Sequence, residues 1–95
     1  MTPYETFVDG LDAAEPPTAV PALRAIWHAL RGEWDAAHEL AQARDDQDGA
    51  WVHAWLHRIE GDLGNAAYWY SRARRTMPRG DTRAEGLDIA RTLLE

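Results

Sequence analysis

His53 and His57 stand one helical turn apart, and Glu60 follows three residues later. At about 100° per residue, these three side chains fall within roughly 60° of one another on a helix, beside Leu56. Imidazole and carboxylate are suitable ligands for zinc, iron or nickel, and an i,i+4 histidine pair can hold one ion. His38, or His28 from an earlier helix, joins the set if the helices pack with those faces together. The carboxylate follows the histidines instead of standing between them, so the His-Glu-x-x-His pattern of a zinc protease is not present. The competing expectation is structural. An imidazole at the edge of an aromatic core, bonded to Asp62, a backbone carbonyl or a tyrosine hydroxyl, fixes a helix pair without chemistry.

Tyr68-Trp69-Tyr70 is the second chemical feature, because three consecutive aromatics on a helix cannot all face one core. Tyr70 belongs inside, Tyr68 on the opposite side and Trp69 between core and solvent. An exposed aromatic near Arg72 can stack a ligand or anchor a partner, whereas the structural alternative is packing against a flanking helix. The candidate ligand-binding residues are therefore His38, His53, His57, Glu60, Tyr68 and Trp69. No catalytic residue stands out, and these residues do not specify which metal or cofactor, if any, is taken.

Several chemistries are excluded by composition. The chain has no cysteine, so disulfides, thiolate metal sites and cysteine nucleophiles are absent. It also has no lysine, which removes Schiff-base chemistry and a Walker-type phosphate site. Arg74, Arg75 and Arg79 lie toward a helix C-terminus, where positive charge is favoured without any ligand. A net charge of −6 repels nucleic acid. The charge is uneven: Glu5, Asp9, Asp12 and Glu15 make the first twenty residues purely acidic, and Arg72, Arg74, Arg75, Arg79 and Arg83 form a basic band broken by Asp81. With no basic-then-apolar leader and no run of about 18 to 20 apolar residues, the expectation is a cytoplasmic protein with no membrane partner.

Ninety-five residues, 45% of them apolar and five of them Trp, suit a single packed domain. No stretch alternates apolar and polar residues long enough for a strand, so the fold expected is all-α, with about five to six helices. Helices are expected over Tyr4 to Ala14, Ala19 to Arg31 with Thr18 as N-cap, and Asp35 to Arg44. Three more are expected over Ala50 to Glu60, Gly64 to Met77 and Thr82 to Leu94. Pro16, Pro17 and Pro21 separate the first from the rest, Gly32 and Gly61 end the second and fourth, and Pro78 and Gly80 stop the fifth. An acidic loop, Asp45-Asp46-Gln47-Asp48-Gly49, precedes the fourth. The helix faces are Leu23, Ile26, Trp27 and Leu30; Ala37, Leu40 and Ala41; Trp51, Val52, Trp55, Leu56 and Ile59; Ala66, Tyr70, Ala73 and Met77; and Gly86, Ile89, Ala90 and Leu93.

An internal echo organises these helices. Trp27-His28-x-x-x-Gly32-Glu33-Trp34-Asp35-Ala36-Ala37 recurs 29 residues later as Leu56-His57-x-x-x-Gly61-Asp62-Leu63-Gly64-Asn65-Ala66. A Gly turn followed by Ala is what two closely packed antiparallel helices need, so two helical hairpins follow. Gly61, Asp62, Ala66, Tyr70, Ala73 and Pro78 together resemble the tetratricopeptide repeat, with Ala54 and His57 on its small and aromatic positions. Gly32, Ala37 and Ala41 fit the earlier copy, where Arg44 and Gly49 depart from the expected small residue and Pro. The resemblance spans Ala19 to Pro78 and implies two degenerate hairpins over 19–78, a flanking helix and Pro-rich turn over 1–18, and a C-terminal capping helix over 79–95. The chain is also similar to a group of short uncharacterised bacterial proteins through Trp34, Ala37, His38, Trp51, His53, Ala54, Leu56, His57, Arg58, Glu60, Gly61, Asp62, Asn65, Ala66, Tyr68, Trp69 and Tyr70, from which no reaction carries over.

The tetratricopeptide resemblance implies a noncatalytic protein-interaction or scaffold module, with a shallow docking face or self-association as its mode. The alternative is a small-molecule or metal-binding protein with a pocket of His38, His53, His57, Glu60 and an aromatic from the fifth helix. A third expectation is service as a small structural subunit in a larger assembly.

Overall fold

A computed structural model describes residues 1–95, and every regular element in it is helical. α1 spans Pro3–Asp9 and passes into one 3-10 turn, Gly10–Asp12. α2 is Pro21–Leu30, α3 Trp34–Gln42, α4 Gln47–Ile59, α5 Leu63–Ala73 and α6 Thr82–Leu94. No helix is long and apolar enough to cross a membrane.

Two pairs of consecutive helices form hairpins through the same turn. After α2, Gly32 at φ +82° lets its N–H donate to the Ala29 carbonyl at 3.0 Å, and the Glu33 N–H reach the His28 carbonyl at 2.9 Å. After α4, Gly61 at φ +85° repeats this, with Gly61 N–H on Arg58 at 3.1 Å and Asp62 N–H on His57 at 2.9 Å. This paired 6→1 and 5→2 bonding is the Schellman cap, and a left-handed glycine makes it without a Cβ clash. The 29-residue sequence echo is therefore an echo of hydrogen bonds.

Several helix ends differ from the sequence expectation for local reasons. The acidic loop before α4 is largely its first turn: Asp46 is the N-cap, accepting from the Gly49 N–H at 2.7 Å, so the helix starts at Gln47 and not at Ala50. α5 stops at Ala73, well before Met77, because Arg74 takes the left-handed conformation at φ 58° and the Arg75 N–H bonds the Tyr70 carbonyl. Thr18 does not cap α2. Its hydroxyl accepts from the Val20 N–H, and Pro21 begins the helix at a position where a missing N–H costs nothing. The first helix ends at Asp9, short of Ala14, and the Gly10 carbonyl is taken by the Trp27 indole N–H at 2.7 Å.

The main core gathers Phe7, Leu23, Ile26, Trp27, Ala37, Ala41, Val52, Trp55, Leu56, Ile89 and Ala90. α3 packs between α2 and α4, while α5 packs on α4. α6 closes across α2, α4 and α1. Its Gly86 lies under the Trp55 ring, where an added Cβ would be 2.2 Å from Cζ2. The Trp55 indole N–H donates to the Thr82 carbonyl at 2.7 Å. A second cluster, Ala54, Ala66 and Tyr70, seals the α4–α5 hairpin. Beside it, Glu85 of α6 accepts from the Arg58 guanidinium at 2.8 Å and from the Tyr70 hydroxyl. Burial outweighs these partners and raises the Glu85 carboxyl above its usual range. Ile59, expected on the core face, sits in the last turn of α4 and is exposed.

Candidate metal centre

Three of the four histidines meet where the first hairpin packs on the second. On α3, Ala37 and Ala41 are fully buried in the main core. His38, next to Ala37 in sequence, is partly buried and faces α4. The Trp34 indole N–H donates to the Leu56 carbonyl at 2.8 Å and pins the first turn of α3 to α4. From α4, His53 and His57 present their rings one turn apart, stacked at 4.9 Å between centroids and 24° between planes.

The rings then converge. His38 stands nearly perpendicular to both, with centroids at 4.7 Å from His53 and 5.4 Å from His57. Its Nε2 lies 3.1 Å from the Nε2 of His53. Two bare lone pairs at that distance repel, so one of the two rings carries its proton on Nε2 and donates to the other. One ring nitrogen from each of His38, His53 and His57 lies within 4.8 Å of the other two. For scale, two nitrogens on a tetrahedral zinc with bonds of about 2.0–2.1 Å are roughly 3.3 Å apart. The His38–His53 pair is already at that spacing to within a few tenths of an ångström.

Glu60 plays a different part from a ligand. Its Oε1 accepts from His57 Nδ1 at 2.6 Å. With the proton held on Nδ1, the Nε2 of His57 keeps its lone pair, which is how an outer carboxylate fixes a ligating histidine. Asp62 lies close to the same edge, forming a second group with His57 and Glu60 within 4.8 Å. Its carboxylate is engaged as the α5 N-cap, accepting from the Asn65 N–H at 3.2 Å and the Asn65 amide at 2.8 Å, which lowers its pKa.

The electrostatics favour neutral imidazoles at His53 and His38. His53 is 6% exposed, and burial, reinforced by the facing His38 and His57, pushes its pKa down to about 4. His38 is lowered too, by burial first and by His57 second, against the opposing pull of Glu60 and Asp35. His57 is 8% exposed, with 11% of its side-chain surface remaining open. A neutral ring binds a metal through its unprotonated nitrogen, so the proton shared between His38 and His53 moves to the other nitrogen of its ring when an ion is held.

Two indoles wall the cluster. Trp34 stacks on His38 at 4.7 Å and 10°, and Trp69 stacks on His53 at 4.1 Å and 17°. Of the residues singled out by sequence, His38, His53, His57, Glu60 and Trp69 are thus brought together. Tyr68 is not. It is 53% exposed, its ring is edge-on to Trp69, and its hydroxyl accepts from Arg72 at 3.1 Å. His28, the alternative to His38, is bonded to Glu33 at 2.8 Å at the end of its own hairpin. The polar partners of the central histidines are one another and Glu60; Asp62, a backbone carbonyl and a tyrosine hydroxyl are not among them. Trp34 was missed as a site residue, although its i,i+4 spacing to His38 on α3 was the available signal.

No protein-family model, curated protein or solved structure matches this chain.

Proposed function

We propose that this protein binds a late first-row divalent cation, zinc, copper, nickel or cobalt, through His38, His53 and His57. The observation that carries the reading is the convergence of three imidazole nitrogens from two different hairpins within 4.8 Å. Three further features support it: depressed pKa values at His38 and His53, a carboxylate holding the His57 tautomer, and aromatic walls that keep the rings from swinging out. The ligands are all nitrogen, which suits these ions and disfavours magnesium and calcium, whose preferred ligands are oxygens. The role is noncatalytic binding, with Glu60 as a positioning residue.

Native mass spectrometry of metal-stripped protein titrated with Zn(II) tests this. One equivalent retained by the native chain, and lost in His38→Gln and His57→Gln variants that keep their helical circular dichroism, is the expected result. Retention of the ion by both variants would place the metal elsewhere and overturn the assignment.

A second reading, a protein-docking module, is supported by the outer face of α5. That helix packs mainly on α4, with Tyr70 reaching Glu85 of α6, and Leu63 and Tyr68 on it are exposed. The resemblance of the hairpins to tetratricopeptide repeats points the same way. Self-association through that face is its simplest form, and a concentration-dependent mass in sedimentation that Tyr68→Ser abolishes is its test.

A further inference from the structure

We infer that the three-histidine set leaves one coordination position of the bound cation open, and that this position takes a small exchangeable anion. The inference rests on the metal-binding reading above and concerns what the cation does once held.

The donor set ends at three. The group that closes on itself comprises His38, His53 and His57, with no carboxylate in it. Glu60 is the nearest acid by sequence, but its Oε1 is committed to His57 Nδ1, and Nδ1 is the other edge of the ring from Nε2. Asp62 groups with Glu60 around that same outer edge and serves as the α5 N-cap. Asp35, one turn before His38 on α3, acts on His38 as a charge and is not part of the converging group. There is no cysteine to supply a thiolate. Structural zinc sites close with four protein ligands, whereas sites with three keep the fourth position for water or an incoming ligand.

Charge chooses what that ligand is. Three neutral imidazoles leave the full double positive charge on the ion, in contrast to thiolate or carboxylate ligands, which cancel part of it. Trp34 and Trp69 stack on two of the three rings, and the nearby negative charges, Glu60 and Asp35, lie outside the donor set. A dicationic centre in such surroundings favours an anion over a neutral molecule. Access is through the less buried His38 side and the small open fraction of the His57 ring, so the anion must be small.

Cobalt(II) bound to the full-length wild-type chain tests both levels, because its visible d–d bands report coordination number and ligand identity. Four-coordinate bands that shift saturably as sodium azide is added, at one azide per cobalt, are expected. Glu60→Gln, which keeps an acceptor for His57 Nδ1, should weaken cobalt binding by about tenfold while the azide response persists. Cobalt bands that azide leaves unchanged would overturn the open position while sparing the metal site. If Glu60→Gln also alters those bands, Glu60 itself fills the fourth position. Absence of any cobalt bands would overturn the metal-binding reading, and the open position with it.

Discussion

The Nε2 atoms of His38 and His53 face each other at 3.1 Å across the seam between the two hairpins. Together with the adjoining His57 and the Trp34 N–H bond to the Leu56 carbonyl, this pair makes the polar part of the seam. One proton bridges the two nitrogens, and a second would put a buried cation beside two more imidazoles. Acid therefore acts on this seam, and a bound metal ion would act on it in the opposite sense.

Stability should fall on acidification. The folded pKa of His53 is about 4, against about 6.5 in the unfolded chain, and His38 is shifted in the same direction. Between those values the unfolded state binds more protons than the folded one, so stability rises with pH. The contribution is complete above pH 6.5 and is lost as pH falls toward 4. For His53 it is on the order of 2–3 kcal/mol. Urea unfolding with chelator present, at pH 7.5 and pH 4.5, checks this; His53→Gln should show a smaller pH difference. Parallel losses in the two proteins would remove His53 as the cause.

Zinc should stabilise the fold and chelator should reverse the gain. His38 belongs to the first hairpin, and His53 and His57 to the second, so an ion held by all three ties the hairpins together. At a free concentration one hundred times Kd, the gain is about 2.7 kcal/mol. For a chain this short, that corresponds to a rise in Tm of roughly 10 °C or more. Differential scanning calorimetry with zinc and then with chelator measures it. The same gain in His38→Gln would show that the seam is not the site.

Two glycine-to-alanine changes in helices should have opposite signs. Gly86→Ala places a methyl 2.2 Å from the Trp55 ring, and overpacking of about 1–3 kcal/mol or more outweighs the helix-propensity gain of about 1 kcal/mol. Gly64 in the first turn of α5 has no atom closer than the Asp62 carboxylate at 4.0 Å, so Gly64→Ala should stabilise by about 0.5–1 kcal/mol. Chemical denaturation of both variants checks the pair, and a stable Gly86→Ala protein would mean that α6 can shift off Trp55.

Arg74→Gly should stabilise by about 0.5–1 kcal/mol. Arg74 holds the left-handed conformation that Gly32 and Gly61 hold at the other two Schellman caps, and a residue with a Cβ is strained there. A lower midpoint in urea would show that contacts of the Arg74 side chain outweigh its backbone strain.

Much of this architecture is carried by local sequence. The apolar spacing of three and four in α2 and α4 and the left-handed glycines at 32 and 61 act within a few residues of themselves. The 29-residue echo repeats those signals, and all of them are visible in the chain without its fold. The i,i+4 placement of His53 and His57, with Glu60 on the same face, is local in the same sense. Helix ends were less legible, because Asp46 and Asp48 read as a loop until Asp46 caps α4, and Arg74 gives no sign of the left-handed turn it adopts. The choice of His38 over His28, the stacking of Trp34 and Trp69 on the imidazoles, and the exclusion of Tyr68 were decided by tertiary structure alone. They depend on the angle and depth at which α3 and α5 pack on α4. That geometry arises from side chains far apart in sequence filling one volume, and no periodicity along a single helix records it.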